Sequence, residues 1–368
     1  MQSGDVTNVS FECESCGAAL SFPVSKCGDI EVCPHCNEYV DIPYPPGPEA
    51  EAAAAEQLDH EDLPVRLQCD VVDGFPRPRW FEFAESLSDE LSVDQLNSIY
   101  AAAVELWIGA IMSRLPPVYH TTATPDFRVL FPASEDIEVV ANFCETTRQE
   151  LLALLEGVAD DGGYGPHVVL AFADARSYYD YVVSFYEDEG EFGGSCGMCI
   201  RSDGYMHIAL HYAKWDWRNV VVHELTHNLL GHLALPVWVE EGLVQLVEDQ
   251  MSDRTKFFAP DHPLQRRHRD YWSANSMEGF WTGSAFSAAD EGQELSYSLA
   301  QILMWNLFRD HRERVNDFIV ASNWEDAGQH AARSALGMGL EDIVASFLGP
   351  GDWQPAERIG NEERPLSQ

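Results

Sequence analysis

Apolar positions along this chain recur with two different periods. Between residues 93 and 115, Leu96, Ile99, Ala103, Leu106, Ile111 and Leu115 follow one another mostly at three- and four-residue steps, as along one face of an α-helix. Asp94 suits the positive end of that helix, and Pro116-Pro117 stops it. Residues 135–157 repeat the helical pattern before a turn-rich stretch at 160–166. Shorter runs at 127–131, 167–172 and 205–212 read as strands, and 176–187 as a helix. In the last strand Met206, Ile208 and Leu210 alternate with His207, Ala209 and His211, a period of two. From Trp217 the pattern is helical, breaks at Gly231 and Pro236, and resumes over 238–251. Residues 295–308 form another strong helical pattern, and 316–348 supply further helices. Three stretches carry few regular signals and are expected to be irregular: 63–79, broken by Pro76 and Pro78; the Gly-rich 193–203; and 252–294, long enough for a lid or a binding wall. The order of elements predicts an α+β protein.

Ahead of these elements lie two close cysteine pairs, Cys13-x-x-Cys16 and Cys33-Pro34-His35-Cys36. Each makes a tight turn, helped by Gly17 and Pro34, and four thiolates close a tetrahedral structural Zn²⁺ site. Short β-like stretches at 19–24 and 30–32 supply hairpins. The arrangement resembles a zinc ribbon, a module with so little core that the metal carries much of its folding energy. Cys27 reads as a spare thiol and His35 as a spacer. Residues 43–62 are Pro-rich and then Ala- and Glu-rich, with 49–56 a candidate for a short helix. The expected division is a ribbon at 1–44, a linker at 45–62, a main domain at 63–348 and a disordered polar tail at 349–368.

Composition narrows the function. With 368 residues and 45% hydrophobic content the chain can bury a sizeable core. Its formal net charge of −39, from 61 acidic against 22 basic residues, repels nucleic acid and anionic membranes. It suits basic or extended polypeptide partners, or equally a salty habitat. The polar opening, residues 1–10, predicts no secretory leader, and no apolar run is long enough for a membrane span. Nine cysteines, an odd number arranged partly in close pairs, point to metal ligation in a reducing compartment, so a cytoplasmic protein is expected.

The sharpest chemistry lies at His223-Glu224-Leu225-Thr226-His227. On a helix the two histidines fall one turn apart on one face, and Glu224 flanks the same turn. Val221, Val222, Leu225 and Leu229 cluster opposite. Two core histidines with ordinary hydrogen bonds would satisfy the same five residues. A catalytic zinc needs a third protein ligand and an open position. The helix at 238–251 could return either Glu240 or Glu241 to the pair.

His-Glu-x-x-His followed by Trp238-x-x-Glu241-Gly242 resembles the gluzincin zinc metallopeptidases of the peptidase-MA-like branch, over residues from about 167 to 309. The resemblance implies a zincin-like catalytic domain, with a small mixed sheet and an active-site helix followed by a mostly helical C-terminal part. It implies Glu241 as third ligand of a catalytic zinc and Glu224 as general base. It implies Tyr297, on the helix at 295–308, as a donor to the oxyanion, and it assigns the strand at 205–212 to the cleft edge, where an extended substrate pairs with it. His207 and His211 could then touch substrate. Metzincins place Gly and His at positions that Gly231 and His232 miss by one, so His232 reads as a loop residue. Where the family often has an acid four residues after the third ligand, this chain has Gln245, with Glu248 a possible substitute. Cys196-x-x-Cys199 reads as two ordinary thiols in a loop, with a redox pair or half a metal site as the rival. Arg266, Arg267, His268 and Arg269 read as an internal salt-bridge cluster, and the aromatics from Tyr271 to Phe286 as pocket walls or a satellite core. The expectation is therefore a zinc-dependent peptidase acting on a peptide or protein substrate. Its rival is a catalytically idle scaffold that binds polypeptide and is recruited through the ribbon.

Overall fold

The first hairpins are built around the cysteine pairs. The computed structural model describes residues 8–13, 15–23, 26, 30–42, 54–59, 63–185, 196–212, 216–252, 262–288 and 290–356. Strand β1 (Asn8–Glu12) pairs antiparallel with β2 (Ala19–Pro23), and β3 (Ile30–Val32) with β4 (Tyr39–Asp41). Cys13, Leu20, Cys33 and Val40 form their small core, with Phe11 and Phe22 packed against it. Cys27 lies outside the described residues.

The structure is mixed α and β and divides into two compact units, residues 1–150 with 161–228, and residues 151–160 with 229–368. The first unit holds two more sheets. Strands β5 (Ala54–Leu58), β6 (Leu67–Val72) and β7 (Phe75–Pro78) form an antiparallel meander. This corrects two expectations: Ala54–Leu58 is a strand where a short helix was expected, and the stretch at 63–79 is a hairpin. Asp73 and Gly74 take φ of 48° and 83° between β6 and β7, the backbone of a tight hairpin turn. The prolines that break the sequence pattern sit on β7, an outer strand, where a missing N–H is tolerated.

Helices α1 (Trp80–Ser86) and α2 (Val93–Met112) follow, α2 opened by a capping box between Ser92 and Gln95. The main sheet then collects β8 (Tyr119–Ala123), β9 (Phe127–Pro132), β10 (His167–Phe172), β11 (Gly197–Ser202) and β12 (Tyr205–His211) in the order β11-β12-β10-β9-β8. The middle three are parallel and the outer two antiparallel. Helices α3 (Ile137–Leu154), α4 (Ala175–Val183) and α5 (Trp217–Leu230) complete this series. Trp80, Phe83, Trp107, Phe172, Tyr181 and Tyr205 are among the buried side chains of the core.

Two further corrections concern this sheet. The Gly-rich stretch expected to be a loop contains β11, which turns into β12 through Asp203 and Gly204 at φ of 50° and 80°. And β12 is an inner strand; the outer strand beside it is β11.

In the second unit α6 (Val237–Met251) and α9 (Glu291–Asp310) pack closely. The stretch expected to be a long loop contains α7 (His262–Tyr271) and α8 (Ala274–Thr282), with residues 253–261 outside the described set. Its aromatics are core, not pocket walls: Trp272, Phe280, Trp281 and Phe286 are buried, and Trp238 packs against Phe280, Trp281 and Phe318. Arg267 is the salt-bridge partner expected of the basic cluster, reaching Glu291 and, at 2.6 Å, Glu294. Helix α10 (Val315–Ala321) and a final helix at Leu340–Leu348 close the unit. The start of the expected disordered tail is tied down, because Trp281 donates to the Trp353 carbonyl at 2.9 Å; residues 357–368 lie outside the described set. Among the described residues no helix is long and apolar enough to cross a membrane.

Candidate metal centres

Cys13, Cys16, Cys33 and Cys36 bring their sulfurs within 4.8 Å of one another. The Sγ separations are 3.7 Å for Cys13–Cys36 and 3.9 Å for Cys16–Cys33. A tetrahedron with Zn–S bonds of about 2.3 Å has edges of about 3.8 Å, so the four donors stand where a zinc would hold them, and too far apart for S–S bonds. The two halves are built alike. Gly17 and Cys13 close one turn through Gly17 N to Cys13 O at 2.7 Å, and Asn37 and Cys33 close the other at 2.9 Å. Gly17 and Asn37 both take positive φ, 69° and 62°, which turns the chain sharply after each second cysteine. Burial raises the Cys33 thiol, but the N–H groups of His35 and Cys36 outweigh it and bring the thiol down to about 6. The Glu38 N–H works to lower Cys36, yet burial and the three neighbouring sulfurs push it up to about 12. Four thiolates cannot ionise together at neutral pH without a cation among them, and a zinc would supply it.

The second group is His223, His227 and Glu241, whose donor atoms also lie within 4.8 Å of one another. Helix α5 is held at its start by Trp217, which packs edge-on against Phe131 and Phe143 at 5.2 Å each, with Arg218 stacked over it at 4.2 Å. Val221, Leu225 and Leu229 are buried as the sequence pattern predicts. One turn apart, the His223 and His227 rings have centroids 5.1 Å apart. On α6, Trp238 donates its indole N–H to the Ala327 carbonyl at 3.0 Å and fixes the rotation of the helix. Between Glu240 and Glu241, it is Glu241 that joins the histidines. Two imidazole nitrogens and a carboxylate oxygen are an ordinary donor set for a catalytic zinc. Glu224, Glu240 and Glu241 are only 5%, 1% and 1% exposed, and a divalent cation would offset the cost of burying that much negative charge.

Neither a scan against protein-family models nor a search of curated proteins finds a match to this chain. What can be said of the site therefore rests on its residues.

The remaining expected site residues are placed as follows. Tyr297 lies in the second turn of α9 with its ring edge-on to Phe286 at 5.1 Å. Gln245 does not face an imidazole through its amide N–H₂, which donates to the carbonyls of Glu241 at 3.3 Å and Tyr297 at 3.2 Å. His232 is exposed in the turn after α5. His207 and His211 are not surface groups: they are 0% and 8% exposed. His207 sits in the core with Nε2 2.7 Å from the Tyr181 hydroxyl and its ring edge-on to Trp107, and burial alone lowers it to about 3. Cys196 and Cys199 lie at and along β11, and three strand residues span roughly 10 Å, beyond the roughly 7 Å that a disulfide bridges. Among the described residues neither belongs to a metal group.

Two glycines permit close approaches that the hydrophobic pattern does not reveal. A Cβ on Gly242 would stand 2.5 Å from the Ala300 carbonyl oxygen and 2.6 Å from Met304 Cγ, so α6 and α9 can cross this closely only at a glycine. A Cβ on Gly197 would run into Val220 Cγ1 and lie 3.0 Å from both Cγ and Oε1 of Glu224. The sequence signals were the Glu241-Gly242 dipeptide and the Asp203-Gly204 hairpin turn that makes the preceding residues a strand.

Proposed function

We propose that the chain is a zinc-dependent peptidase of the zincin-like, gluzincin type, with a second, structural zinc in the N-terminal ribbon. The observation that carries this reading is the grouping of His223, His227 and Glu241 with the buried carboxyl group of Glu224 on the same helix turn. When bound, the ion supplies Lewis acidity, lowering the pKa of a coordinated water to about 7 and polarising the scissile carbonyl. His223, His227 and Glu241 would hold that ion. Glu224 accepts the proton of the attacking water on its carboxylate and passes it to the leaving amine. Tyr297 donates its hydroxyl to the developing oxyanion. Among the described residues β11, rather than the inner β12, stands at the edge of the main sheet, where an extended polypeptide would add, and its first residue lies against Glu224. Four thiols spaced as ligands for one ion, at Sγ separations of 3.7 and 3.9 Å, support a reducing compartment, the cytoplasm.

The test is an N-terminal peptide census of digests by the wild type and by Glu224→Gln. The variant is expected to retain zinc and to lose at least about 100-fold in kcat. Undiminished cleavage by Glu224→Gln would remove the proposed base. A second reading, a polypeptide-binding scaffold recruited through the ribbon, is favoured by one observation. Val32 and Tyr39 are directly paired across β3 and β4 and are 48% and 45% exposed, an apolar pair on a hairpin that has little apolar surface to spare. Stoichiometric zinc with no cleavage by the wild type would favour it.

A further inference from the structure

We infer that Gly197 is a positioning residue for Glu224, and that the bare backbone at this point of β11 sets where the carboxylate can lie. The inference rests on the peptidase reading for its chemistry, but its geometry is independent of it. Strand β11 pairs antiparallel with β12, Gly197 opposite Leu210, and that ladder sets its register. On the face of the sheet toward which its Cβ would point, the first residue of the strand meets α5 at two side chains one turn apart, Val220 and Glu224.

Gly197 has an ordinary backbone conformation, with no positive φ. A left-handed turn therefore does not account for the glycine, and space does. The side chain of any other residue would start inside Val220 and at 3.0 Å from Glu224 Cγ and Oε1, closer than most real Cβ contacts. Something must give, and the two neighbours differ in how they can. Val220 is β-branched and part-buried on a helix, with one strongly preferred rotamer, so it cannot swing far. Glu224 is unbranched with three rotatable bonds, so its carboxylate is the part that moves. It is 5% exposed, and a Cβ on Gly197 would press on it at both Cγ and Oε1. The hydrogen atom that Gly197 carries in place of a side chain thus acts on the proposed reaction through Glu224, and Gly197 itself need touch neither substrate nor metal.

The test uses the full-length, zinc-loaded protein and the variants Gly197→Ala, Val220→Ala and Gly197→Ala with Val220→Ala. The double variant removes the collision with Val220 and keeps the encroachment on Glu224, so it separates loss of fold from loss of position. Zinc content and thermal melting are measured for each. Catalysis is followed as kcat and KM on a peptide that the wild type cleaves. Independently of activity, cobalt is exchanged into the His223–His227–Glu241 group with zinc kept on the four cysteines. Its ligand-field bands report the surroundings of the ion's open position. The folded Gly197→Ala protein, or the double variant where the single one melts early, is expected to keep full metal content and KM within about 2-fold. It is expected to lose about 10-fold in kcat, less than the roughly 100-fold of a 1 Å misplacement because Glu224 need give by only a few tenths of an ångström, and to shift the cobalt spectrum toward that of Glu224→Gln. Val220→Ala alone is expected to match the wild type. A wild-type cobalt spectrum in the folded double variant overturns the inference. So does loss of fold in both alanine variants, because the glycine would then serve strand packing alone. A wild type that cleaves nothing, with the spectral change still present, sinks the peptidase reading and leaves Gly197 as the residue that places Glu224.

Discussion

At the scale of single residues, the choice between two adjacent carboxylates is the first thing tertiary structure decides. Glu240 and Glu241 are both 1% exposed, so burial does not separate them, but only Glu241 joins His223 and His227. Glu241→Ala is therefore expected to weaken zinc binding at this group more than the roughly 10–100-fold typical of a change outside the ligands, and Glu240→Ala to leave the third ligand in place. Competition with a chromophoric chelator measures both, and equal losses would undo the assignment. His207 makes a different prediction. Its ordinary value is 6.5 and burial lowers it to about 3, so in the folded state it stays neutral where the unfolded chain takes up a proton. Below pH 6.5 the unfolded state binds more protons, and stability falls with pH by up to about 1.4 kcal/mol per unit until about pH 3. His268, buried and lowered to about 4, adds to the same trend in the second unit. The pair His207→Leu with Tyr181→Phe removes both ends of the core hydrogen bond. Its melting temperature is expected to fall less than that of the wild type between pH 7 and pH 4; an equal fall would mean that His207 is not a source of the acid sensitivity.

At the scale of elements, the long helices were legible, whereas α7, α8 and several strands were not. The α2 pattern carries its own periodicity; in α5 Val221, Leu225 and Leu229 are buried as their spacing implies, but so are Thr226, His227 and Leu230 on its other sides. Strands β7 and β11 were hidden by the residues that punctuate them. Pro76 and Pro78 read as breakers, yet an outer strand has a side on which no N–H is required. The glycines around Cys196 read as loop, while Asp203-Gly204 marked a hairpin. The crossing of α6 and α9 yields a stability prediction. Gly242→Ala places a methyl group against the Ala300 carbonyl and is expected to destabilise the protein by about 1–3 kcal/mol, while shifting α6 and with it Glu241. Denaturant melts and zinc titration of the variant check both consequences. A variant as stable as the wild type, with unchanged zinc affinity, would show that the helices have slack at this point.

At the scale of the whole molecule the charge dominates. A net −39 on 368 residues means that most acidic side chains have no basic partner to meet, and their mutual repulsion opposes the compact state. Salt shortens that repulsion, from a screening length of about 10 Å at 0.1 M to about 3 Å at 1 M. The melting temperature is therefore expected to rise by several degrees from 0.1 M to 1 M potassium chloride, a salt chosen because sulfate stabilises folded proteins through exclusion from their surface. A flat or falling curve would show that the acidic residues are spaced well enough not to matter. From its sequence alone the chain determined the cysteine quartet, the paired histidines with Glu224 between them, and the helices that carry them. The histidine pair and each half of the cysteine quartet depend on spacing within a few residues, which local geometry converts directly into position, while joining the two halves takes the packing of the hairpins. Spacing left Glu240 and Glu241 open and only the resemblance implied Glu241; tertiary structure groups Glu241 with the histidines, and it alone decided that β11 lies outside β12, that His207 is buried, and that Gly197 and Gly242 mark close approaches. Those facts join residues distant in sequence, and only the packing of elements against one another brings such residues within reach.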